Sequence, residues 1–88
     1  MKTLTLEMIE EIRFHIQAKK DRLASIKRLA FNIAKELPNM DRKQVLQAAE
    51  DLADLREEQR QIEKFLTKNE QIVRNFYALM PADQAAGG

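Results

Sequence analysis

The sequence predicts an all-α protein of a single domain, an antiparallel two-helix hairpin with coiled-coil-like packing. Apolar residues recur at alternating steps of three and four along two long segments, which is the heptad pattern of helices that pack side by side. Proline occurs only at positions 38 and 81, no glycine precedes position 87, and charged residues make up 33% of the 88 residues. Two helices form one layer without an enclosed core. We therefore expect the hairpin to be completed as a homodimeric four-helix bundle or by a partner protein.

The first helix is predicted over about residues 5–37, with Thr3 or Thr5 as its N-cap. Its seam, meaning the positions that face the second helix, consists of Ile9, Ile12, Ile16, Lys19, Leu23, Ile26, Ala30, Ile33 and Leu37. Pro38 should end this helix, because its ring disfavours helical torsions at Leu37 and it has no N–H to donate.

A turn over residues 38–41 leads into the second helix, predicted over about residues 42–80. Asp41 followed by Gln44 matches a capping box. The second seam consists of Val45, Ala48, Leu52, Leu55, Gln59, Ile62, Leu66, Asn69, Val73, Phe76 and Met80. Pro81 should stop the helix, so that residues 1–80 form the domain and residues 81–88 a disordered tail.

The polar seam residues predict how the helices align. A hinge near Asn39 pairs residues whose numbers add up to about 78, which places Ile16 opposite Ile62. The same alignment places Lys19 opposite Gln59, and with Asn69 we interpret these as a register-setting polar layer.

The predicted alignment also brings charged flanking residues together. Arg22 should lie near Glu58, and Arg13 near Glu63. Such exposed pairs contribute only about 0.5 kcal/mol each, enough to disfavour slipped alignments.

Apolar residues outside the seam predict a binding surface. Met8, Phe65, Ile72 and Leu79 flank the seam towards the open end of the hairpin, Phe76 and Tyr77 extend them, and Phe14 and Phe31 lie on the back of the first helix. In so small a chain, an apolar surface of this kind indicates a protein interface. We interpret the chain as a non-enzymatic interaction module, such as a small regulator, inhibitor, adaptor or chaperone, whose partner is itself or another protein.

The charge pattern leaves two alternatives open. Arg13, Lys20 and Lys27 recur every seven residues and could follow a phosphate backbone, which would make the protein a nucleic-acid-binding bundle. The same stripe could simply complement acidic residues of the second helix, and the net charge of +1 favours this second interpretation. A structural subunit of a larger helical assembly is a further alternative.

Catalysis, cofactors and metals are not expected. His15 is the only histidine and Ser25 the only serine, and they lie nearly opposite each other around the first helix. Glu7, Glu11 and His15 share a face, but this spacing is unspecific. Acidic residues interrupt the N-terminal segment, and no apolar run reaches the roughly 20 residues of a membrane span, so we expect a cytoplasmic protein without membrane contact.

Overall fold

The computed structural model describes residues 4–79, which fold as a hairpin of two packed α-helices. Helix α1 spans Leu6–Glu36, a single 3₁₀ turn follows at Leu37–Asn39, and helix α2 spans Arg42–Ala78. No strand occurs within this range, so the predicted all-α hairpin is confirmed. The predicted tail at residues 81–88 and the last residue of the predicted second helix lie outside the described residues.

Both helices begin at caps that the sequence predicts. The Thr5 Oγ1 accepts a hydrogen bond from the Met8 amide at 3.2 Å, which makes Thr5 the N-cap of α1. At α2 the Gln44 amide donates to Asp41 Oδ1 at 2.8 Å, while the Asp41 amide donates to Gln44 Oε1 at 3.0 Å. The capping box is therefore complete, and it fixes where the chain re-enters a helix.

The turn departs from prediction at Leu37, which keeps helical torsions of φ −51° and ψ −43°. The chain leaves the helical region only at Met40, with φ −96° and ψ 146°. Pro38 lies in the first positions of the 3₁₀ turn, where its fixed φ fits and its missing N–H needs no acceptor. The Leu37 amide donates to the Ala34 carbonyl, three residues back, so the end of α1 tightens instead of breaking.

The seam forms the contact between the helices, as the apolar repeat predicts. Its most buried members are Ile9, Ile16, Ile26, Ala48 and Ile62. Every other described seam position is at least half-buried except Lys19 and Val45. The core is therefore a single row of side chains running the length of the hairpin.

Many large apolar side chains of the described residues remain in solvent. They are Leu4, Leu6, Met8, Phe14, Leu29, Phe31, Val45, Leu46 and Leu79. These nine outnumber the four large side chains that are buried. Apolar surface on this scale in a small chain is typical of proteins that bind another surface.

Candidate protein-interaction surface

The open end of the hairpin, where α1 begins and α2 ends, carries a group of exposed apolar side chains. Leu79 is 87% exposed and Leu6 is 50% exposed, while Leu4 and Met8 are each more than a third exposed. Ile9, one residue beyond Met8, is completely buried. We call Leu4, Leu6, Met8 and Leu79 the open-end patch, and it lies directly beside the end of the core.

The sequence predicts Met8 and Leu79 in this patch but misses Leu4, which precedes the N-cap, and Leu6, the first residue of α1. For Leu4, the sequence contained a local signal, the pattern of a hydrophobic staple. Leu4 precedes the N-cap Thr5 and Ile9 is the fourth helical residue, which are the two positions of a hydrophobic staple. Because the residue before an N-cap lies at the end of the helix, Leu4 contributes to the surface of the open end.

Four other residues predicted for the interface are partly covered by the hairpin itself. Phe65, Ile72, Phe76 and Tyr77 are half-buried. Phe76 and Tyr77 also meet edge to face, with ring centroids 5.5 Å apart.

The two phenylalanines predicted on the back of α1 are exposed. Phe14 is 71% and Phe31 is 67% exposed. Phe14 lies towards the open end, whereas Phe31 and the exposed Leu46 lie towards the turn. The turn end therefore offers exposed apolar residues that can serve as a comparison for the open end.

Lys19 and Gln59, which the sequence places opposite each other in one polar layer, each contact a residue other than the predicted partner. The Lys19 ammonium lies 5.8 Å from the centroid of the Phe65 ring, a cation–π distance. Gln59 donates to Glu63 one helical turn away at 2.8 Å, and Asn69 donates to the Phe65 carbonyl at 2.8 Å. Both side-chain amides thus donate within α2.

One predicted ion pair is confirmed. Arg22 donates to both carboxylate oxygens of Glu58, with Nε to Oε2 at 2.6 Å and the second nitrogen to Oε1 at 2.9 Å. The hydrogen bond from Arg22 lowers the pKa of the Glu58 carboxyl below its usual value, and the pair raises the pKa of Arg22. Both side chains remain more than 40% exposed, so the pair selects the alignment more than it stabilises the fold.

The predicted pairing of Arg13 with Glu63 is wrong. The Arg13 guanidinium donates to the Tyr77 hydroxyl at 3.3 Å. Lys20 lies 3.8 Å from the carboxylate of Glu70. Tyr77 and Glu70 lie farther towards the C-terminus of α2 than the predicted alignment places the partners of Arg13 and Lys20.

Side-chain direction explains the displacement. Helical side chains lean towards the N-terminus of their own helix. In an antiparallel hairpin the N-terminus of α1 lies beside the C-terminus of α2, so long side chains of α1 reach in that direction. The side chains of α2 lean towards the turn. An α2 residue that meets such an α1 side chain therefore lies farther towards the C-terminus of α2. The two displacements add for Arg13 with Tyr77 and for Lys20 with Glu70, whereas Arg22 meets Glu58 close to the predicted alignment.

These contacts occupy part of the predicted basic stripe. Arg13 and Lys20 both engage α2, and Lys27 is exposed. Two of the three stripe residues therefore contact α2, through Tyr77 and Glu70.

A shallow groove runs along the opposite side of the hairpin. Its floor consists of Ile62, Phe65 and Ile72, and Lys19, Lys64 and Lys68 lie along its rim. We call it the lysine-rimmed groove. Glu58 also lines it, but this carboxylate is already bound by Arg22.

His15 shows no arrangement typical of a ligand or base. Its Nε2 lies 3.9 Å from Glu11 and its ring meets Phe14 edge to face at 5.8 Å. Residues 4–79 contain no group of three His, Cys, Asp or Glu side chains arranged to hold a metal ion. Neither of the helices described there is long and apolar enough to cross a membrane.

Comparison with known proteins gives no relative. No family model, curated protein or solved structure matches the chain. Its function must therefore be argued from its own surfaces.

Proposed function

We propose that this chain is a non-enzymatic protein-interaction module that binds its partner through the open-end patch. In this role it would serve as a small regulator, inhibitor, adaptor or chaperone. The observation that carries the proposal is the group of exposed apolar side chains where α1 begins and α2 ends, above all Leu79, which at 87% is the most exposed large apolar side chain of the described residues.

Burial at this patch supplies a driving force for association. Covering a leucine or methionine side chain completely is worth about 1.5–3 kcal/mol relative to leaving it in water. The patch contains four such side chains, each more than a third exposed. Where it covers these four side chains, the partner surface is expected to be apolar.

The patch can be disrupted without damaging the hairpin, because its residues lie outside the core. The substitutions Leu6→Asp and Leu79→Lys place an acid at the start of α1 and a base at the end of α2. Both charges suit the helix dipoles, so helicity should be preserved. The matched control is Leu46→Asp with Phe31→Lys, which introduces the same charges at exposed apolar positions near the turn.

The assay measures mass in solution by light scattering and co-purification of bound proteins, with circular dichroism as a check of folding. The open-end double variant should lose association while remaining helical, and the turn-end double variant should associate like the wild type. Association that survives the open-end variant, or that is lost only in the control, would contradict the proposed function.

A further inference from the structure

We propose that the partner of this chain binds through an amphipathic α-helix whose apolar stripe has acidic residues on both edges, and that this helix lies along the lysine-rimmed groove. This inference rests on the proposed function and names the chemistry of the partner. It is carried by the composition of the groove, which has an apolar floor and two basic edges.

The floor of the groove favours apolar side chains at helical spacing. It consists of Ile62, Phe65 and Ile72, of which the last two are half-buried. Phe65 and Ile72 lie seven residues apart on α2, and Leu79 of the open-end patch follows after another seven. Residues at seven-residue steps share one face of a helix. A partner helix that lies along this face from Phe65 to Leu79 therefore covers the groove and reaches the open-end patch.

The edges of the groove favour acidic groups on the ligand. Lys19 of α1 lies along one edge, and Lys64 and Lys68 of α2 lie along the other. All three lysines are exposed, and none of them forms an ion pair within the described residues. The one carboxylate that lines the groove, Glu58, already accepts two hydrogen bonds from Arg22. Carboxylates on both sides of an apolar stripe therefore complement the two edges.

The length of the groove suits a helix of about four turns. Its lining residues extend along α2 from Glu58 to Ile72, which corresponds to roughly 21 Å at 1.5 Å per residue. Continuing to Leu79 adds roughly 10 Å. A partner helix of about 21 residues therefore covers the groove together with the end of α2.

A nucleic acid fits this groove less well than a protein helix does. Single strands bind where bases stack on accessible aromatic rings beside basic residues. The Phe65 ring is half-buried, and the Lys19 ammonium lies over it at 5.8 Å from its centroid. Ile62 and Ile72 offer no group that binds a phosphate. The floor therefore selects the protein ligand.

Synthetic helical peptides test the composition of the ligand. The probe is a fluorescent helix of about 21 residues, with leucine at heptad positions and glutamate on both edges of the leucine stripe. One control peptide carries lysine in place of each glutamate, and a second has the same composition with the stripe disrupted. Fluorescence anisotropy with the full chain, at concentrations where each peptide alone is monomeric, gives the Kd. The probe should bind at least about tenfold more tightly than either control.

Charge reversal in the protein locates the bound probe. Lys64→Glu with Lys68→Glu should raise the Kd of the probe at least about tenfold and lower the Kd of the lysine peptide, with helicity unchanged in circular dichroism. The matched control, Lys35→Glu with Lys43→Glu, changes the net charge equally near the turn and should bind the probe like the wild type. The Kd of the probe for the wild type should rise with salt.

The inference is overturned if the probe does not bind, if it binds no better than the lysine peptide, or if reversal of Lys64 and Lys68 leaves its Kd unchanged. Tighter binding of a single-stranded oligonucleotide than of the probe would also overturn it and assign the groove to nucleic acid. If one of these results occurs while the open-end variant still loses association, the proposed function stands and its partner has another chemistry. If the open-end variant also associates like the wild type, both are wrong.

Discussion

Substitution of Ile26 tests whether the row of seam residues holds the hairpin together. Ile26 is 1% exposed and is one of the two largest side chains that are fully buried. The change Ile26→Ala removes three carbon atoms, worth about 2.4 kcal/mol at roughly 0.8 kcal/mol each. The matched control is Phe31→Ala, which removes more atoms from a side chain that is 67% exposed.

Two further effects adjust this magnitude. Alanine favours helix over isoleucine by at most about 0.7 kcal/mol, which reduces the loss. A cavity normally adds to it, but Ile26 borders a shallow groove with Ala30, Ala49 and Leu52, so the neighbouring side chains can close in. We therefore expect the free energy of unfolding to fall by about 2–3 kcal/mol for Ile26→Ala and by less than about 1 kcal/mol for the control.

Urea unfolding followed by circular dichroism measures both values at equal protein concentration. With a slope of about 1 kcal/mol/M for a small protein, the Ile26 midpoint should drop by about 2–3 M, or the variant should already be partly unfolded in buffer. Equal losses for the two variants, or a larger loss for Phe31→Ala, would refute the seam as the main source of stability.

Three other substitutions test the capping, pH and alignment arguments. Asp41→Ala should lower the free energy of unfolding by about 1 kcal/mol in urea titrations, whereas Asp41→Asn should retain most of it, because asparagine also caps; equal losses would contradict the capping role. The pKa of Glu58 is lowered in the fold, so its contribution is present above the unfolded carboxyl pKa and is lost as pH falls through the folded pKa. Urea midpoints measured across acidic pH should therefore decline less for Glu58→Gln than for the wild type, and parallel curves would disprove this. Asn69→Leu should raise the free energy of unfolding by about 1 kcal/mol with the same alignment in cysteine cross-linking, because Asn69 bonds only within α2; mixed alignments would show that the amide selects the register.

The fold could be predicted because it depends on local and periodic features. The seam follows from the repeat of apolar residues, and the caps at Thr5 and Asp41 follow from side chains that bond within three residues. The torsions of Leu37 were predicted wrongly, because a proline that breaks an α-helix is accommodated in a 3₁₀ turn.

The flank contacts could be predicted only where side chains reach directly across. The Arg22 to Glu58 pair follows from the alignment, but Arg13 meets Tyr77 because both side chains lean along their helices. The sequence pattern records the position of each Cα on a helix, not the direction in which a long side chain extends. Exposure at the open end likewise depends on how far α1 covers the flank of α2, as the half-buried Phe65 and Ile72 show.

The short connection between the helices has a consequence for the order of folding. Contacts near the turn join residues close in the chain, as with the Met40 amide and the Leu37 carbonyl, whereas Arg13 and Tyr77 are 64 residues apart. Closing a longer loop costs more chain entropy, so the hairpin should zip from the turn towards the open end. The helical turns at the open end would then be the last to form and the first to separate. A partner bound there would hold them together and slow unfolding of the whole chain.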